Sequence, residues 1–259
     1  VSTDHLIGSP LAFASTEYAA KAWIKFGDIP GLQTPAVRWV HGRVVTVDCQ
    51  KRAAAIQEAE AGLMVQEEYD YLIAASGLRR TWPTVPTALT KENYMAQMTA
   101  HVHGTQEGSD GVVVVGGGTQ EHRRRPPLQT TDARANHYVK TGAVGIEMAA
   151  ELKLVQPQRR VTLIHSRTRL LSSEPLPEDL ADRALFLLHD AGVKTVMGRR
   201  VTLVADAVSP GSPVEITLDN GERLKASFVI NAISKFTPTS SYLPPAALEK
   251  EGYVKIRPK

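Results

Sequence analysis

The chain has 259 residues, enough for one large or two modest domains with hydrophobic cores. Its formal net charge of +3 is close to balanced, so nothing in the composition demands a nucleic-acid or anionic-membrane partner. The single cysteine, Cys49, excludes a disulfide framework and any intrachain C-x-x-C redox pair, and no apolar run reaches membrane-spanning length.

Val1 is not a start methionine and no signal-peptide pattern follows it, so targeting is not read from these residues. A cytoplasmic setting is the expectation, with a mitochondrial or membrane-peripheral one as the alternatives. Residues 1–36 hold Ser9-Pro10-Leu11-Ala12-Phe13, a helix expected over Glu17 to Phe26, and punctuation at Pro30, Gly31 and Pro35. Short strands joined by polar turns follow at Val37–Val40, Arg43–Asp48, Ala53–Ile56 and Leu63–Val65, the pattern of an antiparallel meander. Tyr69 to Gly77 reads as a buried strand running into a small-residue turn, closed by Pro83 and Pro86. His101 and His103 form a His-x-His without carboxylate or cysteine partners at ligand spacing, so they are placed on a helix-to-loop surface rather than on a metal. Gly104 to Asp110 is a polar linker.

The chain is organised around Gly111 to Leu152. Val112 to Val115 reads as a buried parallel strand, followed by Gly116, Gly117 and Gly118. Beyond an interruption, Gly142-Ala-Val-Gly145-Ile-Glu147 opens a helix from about Val144 to Lys153. Joined, Gly116, Gly118 (or Gly142 in its place) and Gly145 make the G-x-G-x-x-G of a dinucleotide fold. Such glycines allow a tight turn, close approach of the backbone to a pyrophosphate, and packing of helix on strand. The helix N-terminus adds free N–H groups and a partial positive charge. Val161-Thr-Leu-Ile164 is the second strand of this unit. Past it, where an acid would meet a ribose 2′-hydroxyl, stand His165, Ser166, Arg167 and Arg169. Arginines at that edge favour the 2′-phosphate of NADPH over NADH, unless they only solvate a strand end.

Pro175 to Gly192 reads as an amphipathic helix with Leu180, Ala184, Leu187 and Leu188 on one face and Gly192 as its cap. Strands follow at Val193–Met197, Val201–Val204 and Val214–Leu218. Asn220-Gly221 is a hairpin turn leading to Leu224–Ala226, and Phe228–Asn231 is a last buried strand. The segment Thr119 to Thr141, with its Arg123-Arg-Arg-Pro-Pro127 run, has no hydrophobic period. Three readings stay open for it: an exposed disordered loop, a basic localisation patch, or a translated retained intron whose removal restores an uninterrupted glycine motif.

Tyr69-Asp-Tyr-Leu-Ile-Ala-Ala-Ser-Gly77, the split Gly116-Gly-Gly…Gly145-Ile-Glu147, Val161-Thr-Leu-Ile-His-Ser166 and Phe228-Val-Ile-Asn-Ala232 together resemble the FAD-dependent pyridine nucleotide oxidoreductases. The resemblance is to their apoptosis-inducing-factor-like and ferroptosis-suppressor-like group, related to type II NADH dehydrogenases. It covers almost the whole chain outside the insert. It implies an α/β fold in which a Rossmann-like parallel-sheet NAD(P) domain is inserted in an FAD-binding domain carrying an antiparallel β-meander. It also implies hydride passage from NADPH or NADH to FAD, then electron transfer to a small-molecule acceptor of the quinone type. Carried over by position, Ala75, Ser76 and Gly77 form the turn near the FAD pyrophosphate, and Val44 contacts the adenine. Gly116, Gly117, Gly118 and Gly145 hold the dinucleotide pyrophosphate. Glu147, in the helix's first turn, lies near the nicotinamide as the catalytic candidate, or is only a helix-dipole carboxylate. Ser9 and Pro10 approach the flavin edge. No metal is implied, and a homo-oligomer is one reading of the assembly.

Against the family pattern, no G-x-G-x-x-G stands before Val37, no terminal Gly-Asp precedes Lys259, and Ile233-Ser234 replaces the usual glycine after the last strand. The expected organisation is therefore an incomplete FAD-binding part at 1–109, a Rossmann-like NAD(P) domain at 110–235 with the insert at 119–141, and the start of a return to the first domain at 236–259. The competing functional reading is a non-catalytic or NADPH-binding-only module of the same fold.

Overall fold

Local chemistry sets the first elements. The computed structural model describes residues 2–4, 9–59, 61–79, 82, 85–88, 90–116, 142–172, 176–205, 212–233 and 237–256. The glycines at 117 and 118 and the insert lie outside them. Strand β1 (Ser2–Asp4) precedes two short helices, α1 (Ser9–Ala12) and α2 (Thr16–Ala22), and strand β2 (Trp23–Lys25). Ser15 caps α2 by accepting from the Tyr18 N–H at 3.2 Å. The helix ends four residues before the expected Phe26 because Trp23 and Ile24 favour extended backbone, and Trp23 takes it at φ −94°, ψ 109°.

The meander is present as β3 (Gly42–Asp48), β4 (Ala53–Glu58) and β5 (Met64–Glu68), antiparallel throughout, with a register shift between Val44 and Thr46. Val37–Val40 is not a strand: Trp39 stacks on Phe26 with centroids 5.2 Å apart, and Arg38 pairs with Glu67. Tyr69–Gly77 is not a buried strand either. Tyr71 is 93% and Ile73 89% exposed, and no strand among the described residues pairs with them. Only the following β6 (Leu78–Arg79) joins a ladder.

Helix α3 (Lys91–Gln106) carries both histidines of the expected helix-to-loop surface and runs on through Gly104–Gln106, the start of the expected linker. Its inner face carries Tyr94, Met98 and Val102 at helical spacing, but His101 and Thr105 share that face, so no apolar stripe stands out. Thr90 caps it, accepting from the Asn93 N–H at 3.2 Å. We expect Thr90→Ala to cost about 1 kcal/mol, measured as a shift in urea unfolding.

The remaining elements are β7 (Val112–Gly116), α4 (Gly142–Val155), β8 (Val161–His165), α5 (Glu178–Asp190), β9 (Lys194–Met197), β10 (Val201–Val204), β11 (Val214–Leu218), β12 (Arg223–Ala226), β13 (Phe228–Asn231) and β14 (Thr237–Pro238). β7 is buried along its length and pairs in parallel with β13 on one side and β8 on the other, giving the order β13-β7-β8-β9. An uninterrupted valine run suits a strand covered on both faces. Alternate residues sort to those faces. Val112, Val114, Val161, Leu163 and Ile230 pack with residues of the helices, whereas Val113, Val115 and Ile164 pack with Ile216, Leu218 and Ala226 of the β10-β11-β12 sheet. The Asn220-Gly221 hairpin forms as expected, with Gly221 at φ +82°.

In α5 the buried residues are Ala181 and Leu188, while Leu180 and Leu187 are 43% and 49% exposed, so the expected apolar face is rotated. Its C-terminal cap is the expected one: Gly192 adopts φ +85° and the Val193 N–H reaches back to the Leu188 carbonyl.

Two compact units result. One holds Val1–Thr3, Lys25–Arg80 and Phe236–Lys259; the other holds Asp4–Ile24 and Thr81–Lys235. Helices α1, α2 and α3 thus belong with the parallel sheet rather than with the meander.

Candidate functional site

β7 lies inside the sheet, and the chain leaves it through α4 to reach β8 on one side, while β13 arrives on the other side. The strand order therefore reverses at β7, and the crevice beyond the carboxyl ends of β7 and β13 is where open parallel sheets take ligands. At that edge the backbones of β7 and α4 touch. A Cβ placed on Gly145 would lie 2.9 Å from the Gly116 Cα and 3.4 Å from the Ala232 Cβ; one placed on Gly116 would lie 3.1 Å from the Gly145 Cα. The two halves of the split motif meet in space: a side chain at 145 would force helix and strand apart, and one at 116 would need α4 to give by a few tenths of an ångström. Ala232, fully buried at the end of β13, closes the same corner and was not singled out from the sequence. Its small side chain, where the pattern has no glycine, was the available signal.

α4 begins at Gly142, so Glu147 sits in its second turn and not its first, where the helix dipole acts less on it. Glu147 is exposed on the helix surface. Partial desolvation first, and the like charge of Glu151 second, raise its carboxyl pKa. Helix α1 packs against α4, which brings Pro10, buried, and the backbone of Ser9 to this unit; the Ser9 side chain lies outside the described residues.

His165 ends β8 opposite Gly116 and is 2% exposed. Its Nε2 lies 3.2 Å from the Arg169 carbonyl, and its Nδ1 has no hydrogen-bond partner among the described residues. Burial holds the imidazole below its usual pKa, with the Arg167 charge acting the same way and the backbones of Arg169 and Gly116 partly offsetting both. The arginines differ in their commitments. Arg169 is tied to Glu178 at 3.3 Å and Asp182 at 3.5 Å across the start of α5. Arg167 is exposed and donates to the neutral Ser172 hydroxyl at 3.3 Å. Ser166 is half-buried beside it.

The other compact unit holds Val44, Ala75, Ser76 and Gly77. Val44 is half-buried in β3 opposite Ile56. The Ser76 hydroxyl lies 2.9 Å from that of Tyr242, and the Thr239 hydroxyl donates to the carbonyls of Ser76 and Gly77 at 2.9 and 2.6 Å. Gly77, at φ +67°, takes the left-handed turn that a side chain would resist. Ala75 is exposed. His101 departs from the expected surface position: it is 5% exposed inside α3, whereas His103 is exposed and pairs with Glu107 at 3.1 Å. No cluster of metal-ligating side chains occurs among the described residues, and no helix there is long and apolar enough to cross a membrane.

A helix-backed parallel sheet with paired glycines at its switch point is a dinucleotide-binding architecture, and the chain is similar to the pyridine nucleotide oxidoreductases. Residues 139–257 match the pyridine nucleotide-disulphide oxidoreductase family. Over 257 residues the chain is 48% identical to oxidoreductase OXR1 of Ajellomyces capsulatus, covering 97% of this chain and 50% of that protein. It is 26% identical over 201 residues to the ferroptosis suppressor protein 1 of Mus musculus, covering 78% of this chain and 44% of that one. A ferredoxin reductase from Rhodopseudomonas palustris shares the fold, with TM-score 0.58, 18% identity, and coverage of 90% of this chain and 50% of that chain. The chain thus spans about half the length of the relatives it matches.

Proposed function

We propose that this chain carries the NADPH-binding half of a flavin-dependent NAD(P)H oxidoreductase whose acceptor is a quinone-type molecule. The observation that carries the reading is the Gly116–Gly145 contact at the switch point. In the dinucleotide fingerprint this close packing of helix on strand sets the turn on which a pyrophosphate rests, and a Cβ at 145 would push against the Gly116 Cα. The first turn of α4 offers the same anion N–H groups that a helix leaves without intrahelical partners. The described residues therefore fit a dinucleotide.

NADPH supplies the hydride, and FAD accepts it and hands electrons onward. The part played by this chain is binding and orientation. Gly116 and Gly145 let the phosphates settle, and Arg167 with Ser166 meets the 2′-phosphate. Arg169 keeps the β8–α5 connection in place through Glu178 and Asp182, rather than offering its charge to the ligand. Glu147, its proton held more tightly than usual, borders the nicotinamide side of the helix. The Ala75–Gly77 turn and Val44 serve FAD. The described residues around that turn hold no glycine cradle like that of β7 and α4, so no flavin step is derived from them.

Titration of the chain with NADPH and NADH, followed by nicotinamide fluorescence, tests the reading. Saturable NADPH binding is expected, and its absence with both nucleotides would overturn it. Arg167→Ala should weaken NADPH by about ten-fold or more, as expected for one charged hydrogen bond, and leave NADH nearly unchanged. Quinone-dependent NADPH oxidation by the longer protein, compared with ferricyanide as acceptor, tests the acceptor class.

A further inference from the structure

The connection from β8 to α5 carries a pattern that nucleotide binding leaves unexplained. Arg167-Thr-Arg169-Leu-Leu-Ser172 places arginines five and three residues before a serine, the spacing read by arginine-directed protein kinases. The fold brings the two ends of that pattern together. The Arg167 carbonyl accepts from the Gly198 N–H at 2.9 Å, Leu170 is buried, and Leu171 takes the left-handed conformation at φ +52°. The chain thereby doubles back, and the Ser172 hydroxyl accepts from the Arg167 Nη1 at 3.3 Å. Both side chains lie on the surface, where a modifying enzyme reaches them. Ser172 also lines a cleft of about 180 Å³, which gives an added phosphoryl group room.

Electrostatics decide which way a phosphate at Ser172 turns. It carries about −1.5 to −2 charges and three strong acceptor oxygens. Glu178 stands on the wall of the same cleft and repels it, and Glu178 and Asp182 already hold Arg169. Arg167, whose partner is the neutral serine hydroxyl itself, is the cation within reach. We propose that Ser172 is a phosphorylation site that controls nucleotide choice, its phosphate taking Arg167 in a charge-assisted pair and so occupying the cation that meets the 2′-phosphate of NADPH. The effect on binding rests on the assignment of Arg167 to that 2′-phosphate. In the modification the Ser172 Oγ attacks the γ-phosphorus of ATP, the P–O bond to the departing ADP breaks, and the hydroxyl proton passes to the base of the kinase. NADH has no 2′-phosphate and does not compete for Arg167.

The test has three parts. The native chain is incubated with ATP and an arginine-directed protein kinase, and the phosphate is mapped by mass spectrometry; it should sit on Ser172, and Ser172→Ala should take up none there. Phosphoserine is then incorporated at position 172 by codon suppression. Phosphorus NMR should show its second ionisation below the usual value of about 6, returning towards that value in Arg167→Ala. Nicotinamide fluorescence should show NADPH weakened by about ten-fold or more, at least the loss expected for Arg167→Ala, with NADH nearly unchanged. Phosphate found on Ser166, Thr168 or Ser173 with Ser172 empty, an ionisation indifferent to Arg167→Ala, or equal losses for the two nucleotides would each overturn the proposal. A native chain that binds neither nucleotide would instead overturn the NADPH reading, and with it the effect on binding, while the phosphate map and the NMR titration still decide the site.

Discussion

Gly145→Val should abolish dinucleotide binding and destabilise the parallel-sheet unit at once. The new Cβ would lie 2.9 Å from the Gly116 Cα and 3.4 Å from the Ala232 Cβ. The first of these is backbone in a strand hydrogen-bonded to neighbours on both sides, so it cannot swing aside as a flexible side chain would. Either α4 lifts from the sheet or β7 bends. Overpacking of this kind costs about 1–3 kcal/mol of stability. The same displacement moves the helix N-terminus away from the phosphates, so NADPH affinity should fall by about a hundred-fold, near 2.7 kcal/mol. Urea unfolding and nicotinamide fluorescence measure the two effects separately. Gly27→Ala is the control, since a Cβ there meets nothing within 4 Å and should change neither. Native NADPH affinity in Gly145→Val would show that the phosphates do not rest at this contact.

The parts legible in the sequence are those where one residue type answers one physical demand. Val112–Val115 had to be a strand covered on both sides, and Asn220-Gly221 had to turn a hairpin. Gly116 and Gly145 were recognised as partners across an intervening segment because a phosphate turn needs bare backbone at both. The errors arose where tertiary context decides. The apolar Tyr71-Leu-Ile73 run reads as a core strand, yet a strand forms only where something pairs with it, and no described residue does. The extent of helix α3 and its buried face escape for the converse reason: polar His101 and Thr105 occupy its inner side, which therefore carries no apolar signature. Arg169 and Arg167 look equivalent in sequence. Only the position of Glu178 and Asp182 at the start of α5 shows that one is committed to acids and the other is not.

His101 also makes the stability of this unit depend on pH. Burial alone lowers its pKa from 6.5 to about 4, since the rings of Phe13, Trp82 and Phe228 surround it. The folded chain therefore resists protonation that the unfolded chain accepts. Between those two pKa values the unfolded state binds more protons, so stability rises with pH across the window. The neutral imidazole's contribution is complete above pH 6.5 and is lost as pH falls towards 4, by about 3 kcal/mol at 1.36 kcal/mol per unit. His165, lowered by its own burial, acts with the same sign, while Glu147, raised, acts with the opposite one. Urea unfolding of the native chain and of His101→Phe at pH 7, 5.5 and 4 isolates the contribution, because the other groups titrate alike in both. The stability difference between the two should move by about 3 kcal/mol in favour of the phenylalanine variant as pH falls. A difference that stays constant from pH 7 to 4 would mean that the folded imidazole takes up its proton as freely as in water, and that the aromatic enclosure around it opens in solution.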